Sequence, residues 1–479
     1  MEGGGSLVSF VAGLTMDEQN TLDGLLKQLA AKRVRNRLRS AYMDGKHAPK
    51  QLPPTVPPYL RTLGMVLGWP AKAVEALARR ARLEAFAIPG SDLAAFGLDV
   101  ILDENDYVSE SREAGLSSLE HSVAFLIATR GDTSAGDPEV LITRKTALEG
   151  TGEWSARARR LVSFLSIVER DKKTGDPSEF NLYLPRQVIV CAAGRVQDRV
   201  PSGLPWLPVE PLVYRKRDAK PFGSSRITRP IMALTDSAVR SILRSEGTAD
   251  FYSIPGMALF GPDESFFEGN PTWRMLLNGM FAIPDNPDAP AGQERAELKQ
   301  FTQASQQPHV DQLEVWAQLF AAEASIPVSS LGIGATQANP TSAESYLASR
   351  EDLISEGEDT IAGWTTPHVR TLQNAWMIRE GATSLPSELR KLTAVWRDPR
   401  HESKAAAADW FAKLAGVLPW IAETDTALDL IGVDETTATR LRADRAASQA
   451  RSTVAALLAE PEPAATPTEA PSNAAPPAS

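Results

Sequence analysis

At 479 residues the chain exceeds what one hydrophobic core usually serves, and its 43% hydrophobic, 23% charged make-up, with 32 Gly and 35 Pro, is that of a folded globular protein of several sub-domains. A formal net charge of −10 argues against tight binding of duplex nucleic acid, which needs clustered Lys and Arg. Cys191 is the lone cysteine, so an intramolecular disulfide and a cysteine-based zinc cluster are excluded. No basic leader opens the sequence, and the apolar stretch 7–14 is too short to span a bilayer, so neither secretion nor membrane insertion is expected.

Thr15 and Glu18 have capping-box spacing, and Leu22, Leu25, Leu26 and Leu29 follow at helical intervals, predicting a long opening helix. Its second half carries Lys32, Arg33, Arg35, Arg37 and Arg39, which could meet nucleic acid or acidic neighbours; a solvated or subunit-facing surface is the plainer reading. Pro53, Pro54, Pro57 and Pro58 predict a rigid extended link. Trp69 and Pro70 open a second amphipathic helix, with Val74, Leu77, Ala78 and Ala81 on one face, expected to end near residues 83–86.

From about 86 to 215 short β-like runs take over, at 85–88, 123–128, 140–143, 161–168, 180–184 and 187–191. Turn residues such as Lys173, Thr174, Gly175 and Asp176 separate several of them and predict hairpins in an antiparallel sheet, with one helix near 108–120. The region reads as α+β. Asp99, Asp103, Glu104 and Asp106 form the densest acidic group; a divalent-cation site is conceivable, but a solvated loop leading to a helix cap is the simpler reading.

Pro230 begins a helix with Ile231, Leu234, Ala238 and Ile242 on one face and Arg240 and Arg244 towards its C-terminal end, expected to stop at Gly247. The Gly- and Pro-rich stretch 251–306, with Phe260, Phe266, Phe267, Trp273 and Phe281, predicts a small irregular module inserted before the next helix. That helix, 310–324, places Leu313, Trp316, Ala317, Phe320 and Ala324 at helical steps and is ended by Pro327. A loop without periodicity follows, and Thr341 or Ser342 then caps a very long helix that Pro367 should kink. Residues 385–452 read as helices with Trp396, Trp410, Phe411, Leu414, Leu418 and Trp420 as core, and 460–479 as a disordered tail.

Enzymatic signatures fail in turn. No phosphate-cradling glycine loop precedes Lys46, and Gly332 with Gly334 lacks the third glycine of a dinucleotide site. The five histidines, His47, His121, His309, His368 and His401, lack metal-site spacing, and His309 with Asp311 lacks a nucleophile elbow. No cofactor, metal or catalytic residue is therefore expected.

Five segments, in order, resemble portal proteins of the SPP1-like family from actinobacterial phages: 42–47; 67–70 leading into 71–74; 82–84 before Phe86; 225–230, from Ser225 to Pro230; and 339–344 leading to 349–353. The similarity spans roughly 16–380. It implies a non-enzymatic, dodecameric ring of a tailed-phage capsid, with an α+β multi-region fold. The wing would be 1–225, the first stem helix 226–248, the clip 249–307, the second stem helix 308–326, the tunnel loop 327–341, a long kinked helix 342–382, the crown 383–458 and a tail 459–479.

The same resemblance implies double-stranded DNA passing the tunnel loop (Gly332, Gly334, Thr336, Gln337, Asn339, Thr341), stem positions at Pro230, Arg240, Arg244, Leu313 and Trp316, and clip contacts through Phe266, Phe267 and Trp273. Its implied partners are the terminase large subunit, the head-tail adaptor, and the major capsid and scaffold proteins. Its implied location is the virion, after assembly in the host cytoplasm. A loop free of Lys and Arg suits DNA that must slide, though the composition is also that of any connector. A minor capsid or scaffold protein, and less so a metal-dependent nuclease, are the alternatives.

Overall fold

A computed structural model describes residues 10–49, 52, 56, 58–253, 257–260, 280–283, 297–300, 305–333, 350–400, 404–424, 426–433 and 435–458. It divides into one unit spanning 1–400 and a second spanning 401–479.

The first unit opens with helix α1, Met16–Met43, capped as the sequence predicts: the Thr15 hydroxyl accepts from the Glu18 amide and the Glu18 carboxylate from the Thr15 amide. Leu22, Leu25, Leu26 and Leu29 are all buried, because strands β5 (Arg160–Arg170), β6 (Pro177–Leu184) and β7 (Gln187–Ala192) offer Leu165, Ile167, Phe180, Leu182, Ile189 and Cys191 to that stripe. With β4 (Gly150–Ser155) and β8 (Arg195–Pro201) these strands form a five-stranded antiparallel meander in sequence order, and the predicted turn 173–176 joins β5 to β6. Aromatic residues Phe164 and Tyr183 pack a second core with Phe125, Val123, Ile127 and Val209 from a three-stranded antiparallel sheet of order β3-β2-β9: β3 Val140–Thr146, β2 Val123–Arg130, β9 Val209–Val213.

Helix α2, Trp69–Ala78, ends before the expected 83–86, because Leu83–Ala87 is already strand β1. β1 pairs antiparallel with β13, Thr393–Trp396, so 393–396 is strand and not helix. The acidic stretch is also not a loop: Leu98–Glu104 is helix α3, burying Leu98 and Ile101, and α4, Tyr107–His121, follows at once. Asp106, in the left-handed region at φ 41, offers α4 no side-chain cap. The largest core gathers α2, α4 and β2 with three more helices: α5 (Arg229–Ser253), α6 (Gln307–Glu323) and α7 (Glu351–Glu380).

Helix α5 runs past Gly247 to Ser253, and three short strands lie beyond it: β10 Met257–Phe260, β11 Met280–Ile283 and β12 Glu297–Gln300. They form a sheet of order β11-β10-β12, with β10 parallel to β11, where an irregular module was expected. Pro367 lies inside α7 without ending it, and the Thr371 hydroxyl donates to its carbonyl at 2.9 Å. The proline-rich link is described in part, as a 3₁₀ turn at Pro58–Thr62.

The second unit holds α8 (Lys404–Val417), α9 (Thr426–Leu430) and α10 (Glu435–Leu458). Its buried residues include the small Ala407, Ala427 and Ala438, whereas Trp410, Leu418 and Trp420, expected in the core, are exposed. Phe411 and Leu414 are half-buried. The expected tail, 459–479, lies outside the described residues.

Candidate functional site: a helix pair and its ionic anchor

Helices α5 and α6 pack along each other, and their contact begins with residue types the sequence made legible. Ile231 and Ala238 of α5 meet Ala317 and Phe320 of α6 in one core with Trp69. Leu234 and Ile242, expected on the buried stripe, are half-buried; Val239 and Leu243 are buried instead, against Val56 and Leu60. Polar contacts tie the rest of the pair: the Trp316 indole donates to Ser241 Oγ at 3.0 Å, Ser241 Oγ donates to Gln312 at 3.2 Å, and Thr248 Oγ1 lies 3.1 Å from His309 Nε2. Leu313 and Trp316 are half-buried and pack against this core. Arg240 donates to Ser237 Oγ at 2.8 Å. Arg240 and Arg244 lie mid-helix, since α5 continues past Gly247. Pro230 is exposed in the first turn, and Thr228 Oγ1 accepts from the Ile231 amide there.

Both ends of the pair where it joins the body converge on Arg226. Its side chain is 3% exposed, and its Nε donates to the Ala73 carbonyl (2.7 Å), its Nη2 to the Ala324 carbonyl at the end of α6 (2.6 Å), and its Nη1 to Glu356 of α7 (2.6 Å) and to the Tyr214 hydroxyl (3.1 Å). Glu356 also accepts from Arg215 at 2.5 Å and from Tyr214. Burial pushes the Glu356 carboxyl up, but the Arg226 charge and the hydrogen bonds from Arg226 and Tyr214 outweigh it and hold the group below its ordinary value. Burial and the Glu356 charge raise Tyr214 to about 12, with Arg226 opposing. Gly223, at φ +67, passes so close to this point that a Cβ would stand 1.9 Å from the Tyr214 carbonyl oxygen. A further tie comes from Tyr42, whose hydroxyl lies 3.0 Å from both carboxylate oxygens of Asp236 in α5.

Beside the anchor opens a groove of about 1370 Å³, lined by both signs of charge, among them Arg215, Lys216, Arg370, Glu210, Glu356 and Asp359. Glu210, 5% exposed, is pushed up to about 7 by burial, with Arg370 (3.7 Å away) and Arg160 opposing.

A model described as "Phage portal protein, SPP1 Gp6-like" matches residues 23–449. The chain belongs to this family of phage portal proteins. It is 28% identical over 390 residues to the portal protein of Mycobacterium phage L5 (79% of this chain, 78% of that one) and 26% identical over 393 residues to the portal protein of Mycobacterium phage D29 (79% of each). Among solved structures, a chain from the neck of a native gene transfer agent particle computed with C12 symmetry aligns over 84% of this chain and 99% of its own, at 13% identity and a TM-score of 0.41, too slight a likeness to carry argument. As a portal protein the chain is a structural, non-enzymatic component of a tailed-phage virion. The family match extends to residue 449, past about 380, beyond which the resemblance read from the sequence weakens.

Among the other expected site positions, Gly332 ends the 3₁₀ turn Val328–Leu331 in the left-handed region, while Gly334, Thr336, Gln337, Asn339 and Thr341 lie outside the described residues, as do Phe266, Phe267 and Trp273. Asp99, Asp103, Glu104 and Asp106 do not converge: among the described residues no three His, Cys, Asp or Glu side chains could share a metal ion. His368 is fully buried, its Nδ1 2.9 Å from the Tyr107 hydroxyl, and burial depresses it to about 3, so it stays neutral and acts in packing. Arg226 and Glu356 escaped the sequence reading as a pair, although Arg226 lies within the 225–230 segment; Glu210 was detectable as an acid inside the apolar run 209–213.

Proposed function

We propose that copies of this chain close into a dodecameric ring at one capsid vertex, the conduit through which double-stranded DNA enters and leaves. In this reading 1–225 form the wing, 226–248 and 308–326 the two stem helices, 249–307 the clip, 327–341 the tunnel loop, 342–382 the long helix beside it and 383–458 the crown. The clip would meet the terminase large subunit and later the head-tail adaptor, and the outer body the major capsid and scaffold proteins, with assembly in the host cytoplasm.

The observation that carries this reading is the anchored helix pair and its surface chemistry. Helix α6 contains Asp311, Glu314 and Glu323 but no Lys or Arg, and among the described side chains the exposed charges of α5 are Arg229 and Glu246. A polyanion sliding along such a surface gains little from counterion release and is not held. Exposed apolar Val315 (49%) and Leu319 (48%), one turn apart on α6, suit contact with the next subunit. The groove beside Glu356, with carboxylates among its cations, suits a protein neighbour in preference to a polyanion. Negative-stain microscopy of the purified chain tests the proposal: uniform rings with a central hole are expected, and a population of monomers at every protein concentration would overturn it.

A further inference from the structure

The cations of α1 are used unequally. Arg33 donates to the Gly175 carbonyl at 3.2 Å, on the outside of the β5–β6 turn. Lys32, Arg35 and Arg39 instead line a cavity of about 270 Å³, bounded by His121 at the end of α4, the turn after β3, and the segment 220–224 with Lys220. Four cations line it and no carboxylate does. Among the described residues none of the four takes part in an ion pair, in a chain with ten more acids than bases.

Two buried nitrogens at this cavity also lack a hydrogen-bond partner. His121 is 3% exposed; its Nε2 lies 2.9 Å from Ser40 Oγ and 3.0 Å from Glu120 Oε1, but its Nδ1 bonds to nothing. Arg39 Nη1 reaches Asn36 and the His121 carbonyl, and its Nε is left over. Burial, then the neighbouring Arg35 charge, lowers Lys32 and brings Arg39 to about 10. Like charges crowded at a half-buried site and an orphaned guanidinium N–H are each unfavourable, and one bound oxyanion relieves both. At roughly 30 Å³ per water the cavity has room for a tetrahedral oxyanion together with part of its hydration.

We propose that the cavity between α1 and His121 is a binding site for a phosphate group, supplied either as the free ion or by a nucleic-acid backbone. Isothermal calorimetry of the full chain with inorganic phosphate, ionic strength held constant with chloride, tests it. Saturable binding is expected, weakened about tenfold by Arg35→Gln or by Arg39→Gln and unchanged by Lys173→Gln, at an exposed residue of the β5–β6 turn that does not line the cavity. Arg35 is exposed, so its variant should keep the wild-type circular dichroism spectrum and separate lost binding from lost fold. Phosphate heats no different from those of chloride, or full binding in both arginine variants, would overturn the site. A short duplex oligonucleotide then identifies the source: displacement of bound phosphate assigns the backbone, and undisturbed phosphate assigns the free ion.

Discussion

Arg226 joins four stretches of chain that are remote in sequence: α2 through Ala73, the end of β9 through Tyr214, α6 through Ala324 and α7 through Glu356. A buried cation so fully bonded contributes little net stability over an apolar replacement of the whole network, but deleting one partner strands the other. Arg226→Met should therefore lower unfolding stability by about 3 kcal/mol or more, because the Glu356 carboxylate remains behind in its buried position. Urea unfolding measures this, and a loss under about 1 kcal/mol would refute the anchoring role. Glu210 gives the opposite sign. Its folded-state value of about 7 lies above the ordinary carboxyl range, so between about pH 4.5 and 7 the unfolded chain releases a proton that the folded chain keeps, and stability falls as pH rises through that window. Glu210→Gln should match wild type near pH 4 and exceed it by on the order of 2 kcal/mol at pH 8; a difference independent of pH would remove the argument.

Elements were legible where one face is apolar and the period unbroken, as in α1, α5, α6 and the β5–β7 hairpins. They were missed where a local rule is overridden by packing. Gly247 costs roughly 1 kcal/mol in a helix, yet α5 continues through it because Ser245 and Thr248 bond across to Gln306 and His309. Strand β9 was hidden by Pro211 and Glu210, but it is an edge strand, where a missing amide need not break the ladder. Strand β4 was hidden by Gly150 and Gly152, which let it lie against Phe164; a Cβ on Gly152 would come within 2.8 Å of the Ser163 carbonyl oxygen. The helix pair of the candidate site could be read from periodicity, whereas its anchor could not, because an ion pair between 226 and 356 leaves no periodic trace. At this scale the outer row of α6 is the feature to test. Val315→Glu with Leu319→Glu should leave helix content and unfolding midpoint close to wild type, since both sites are exposed, while converting rings to smaller species in light scattering. Intact rings would show that α6 does not contribute to the subunit contact.

For the molecule as a whole, the negative charge excluded a tight duplex binder, but the sum concealed how charge is placed: α6 has no Lys or Arg at all, while one end of α1 concentrates three such cations around a single cavity. Composition could not reveal that division, which exists only once the chain is folded. The pairing of β1 with β13 has a consequence in time. Ala85 faces Val395, and among the described residues neither strand has another strand neighbour. Helix α1 and its five-stranded sheet are complete in the first two hundred or so residues to leave the ribosome, and contacts that close quickly can form there at once. The core around Phe86 must wait for Leu372, Leu389 and Ala394, so the nascent subunit stays open until about four-fifths of it has been translated.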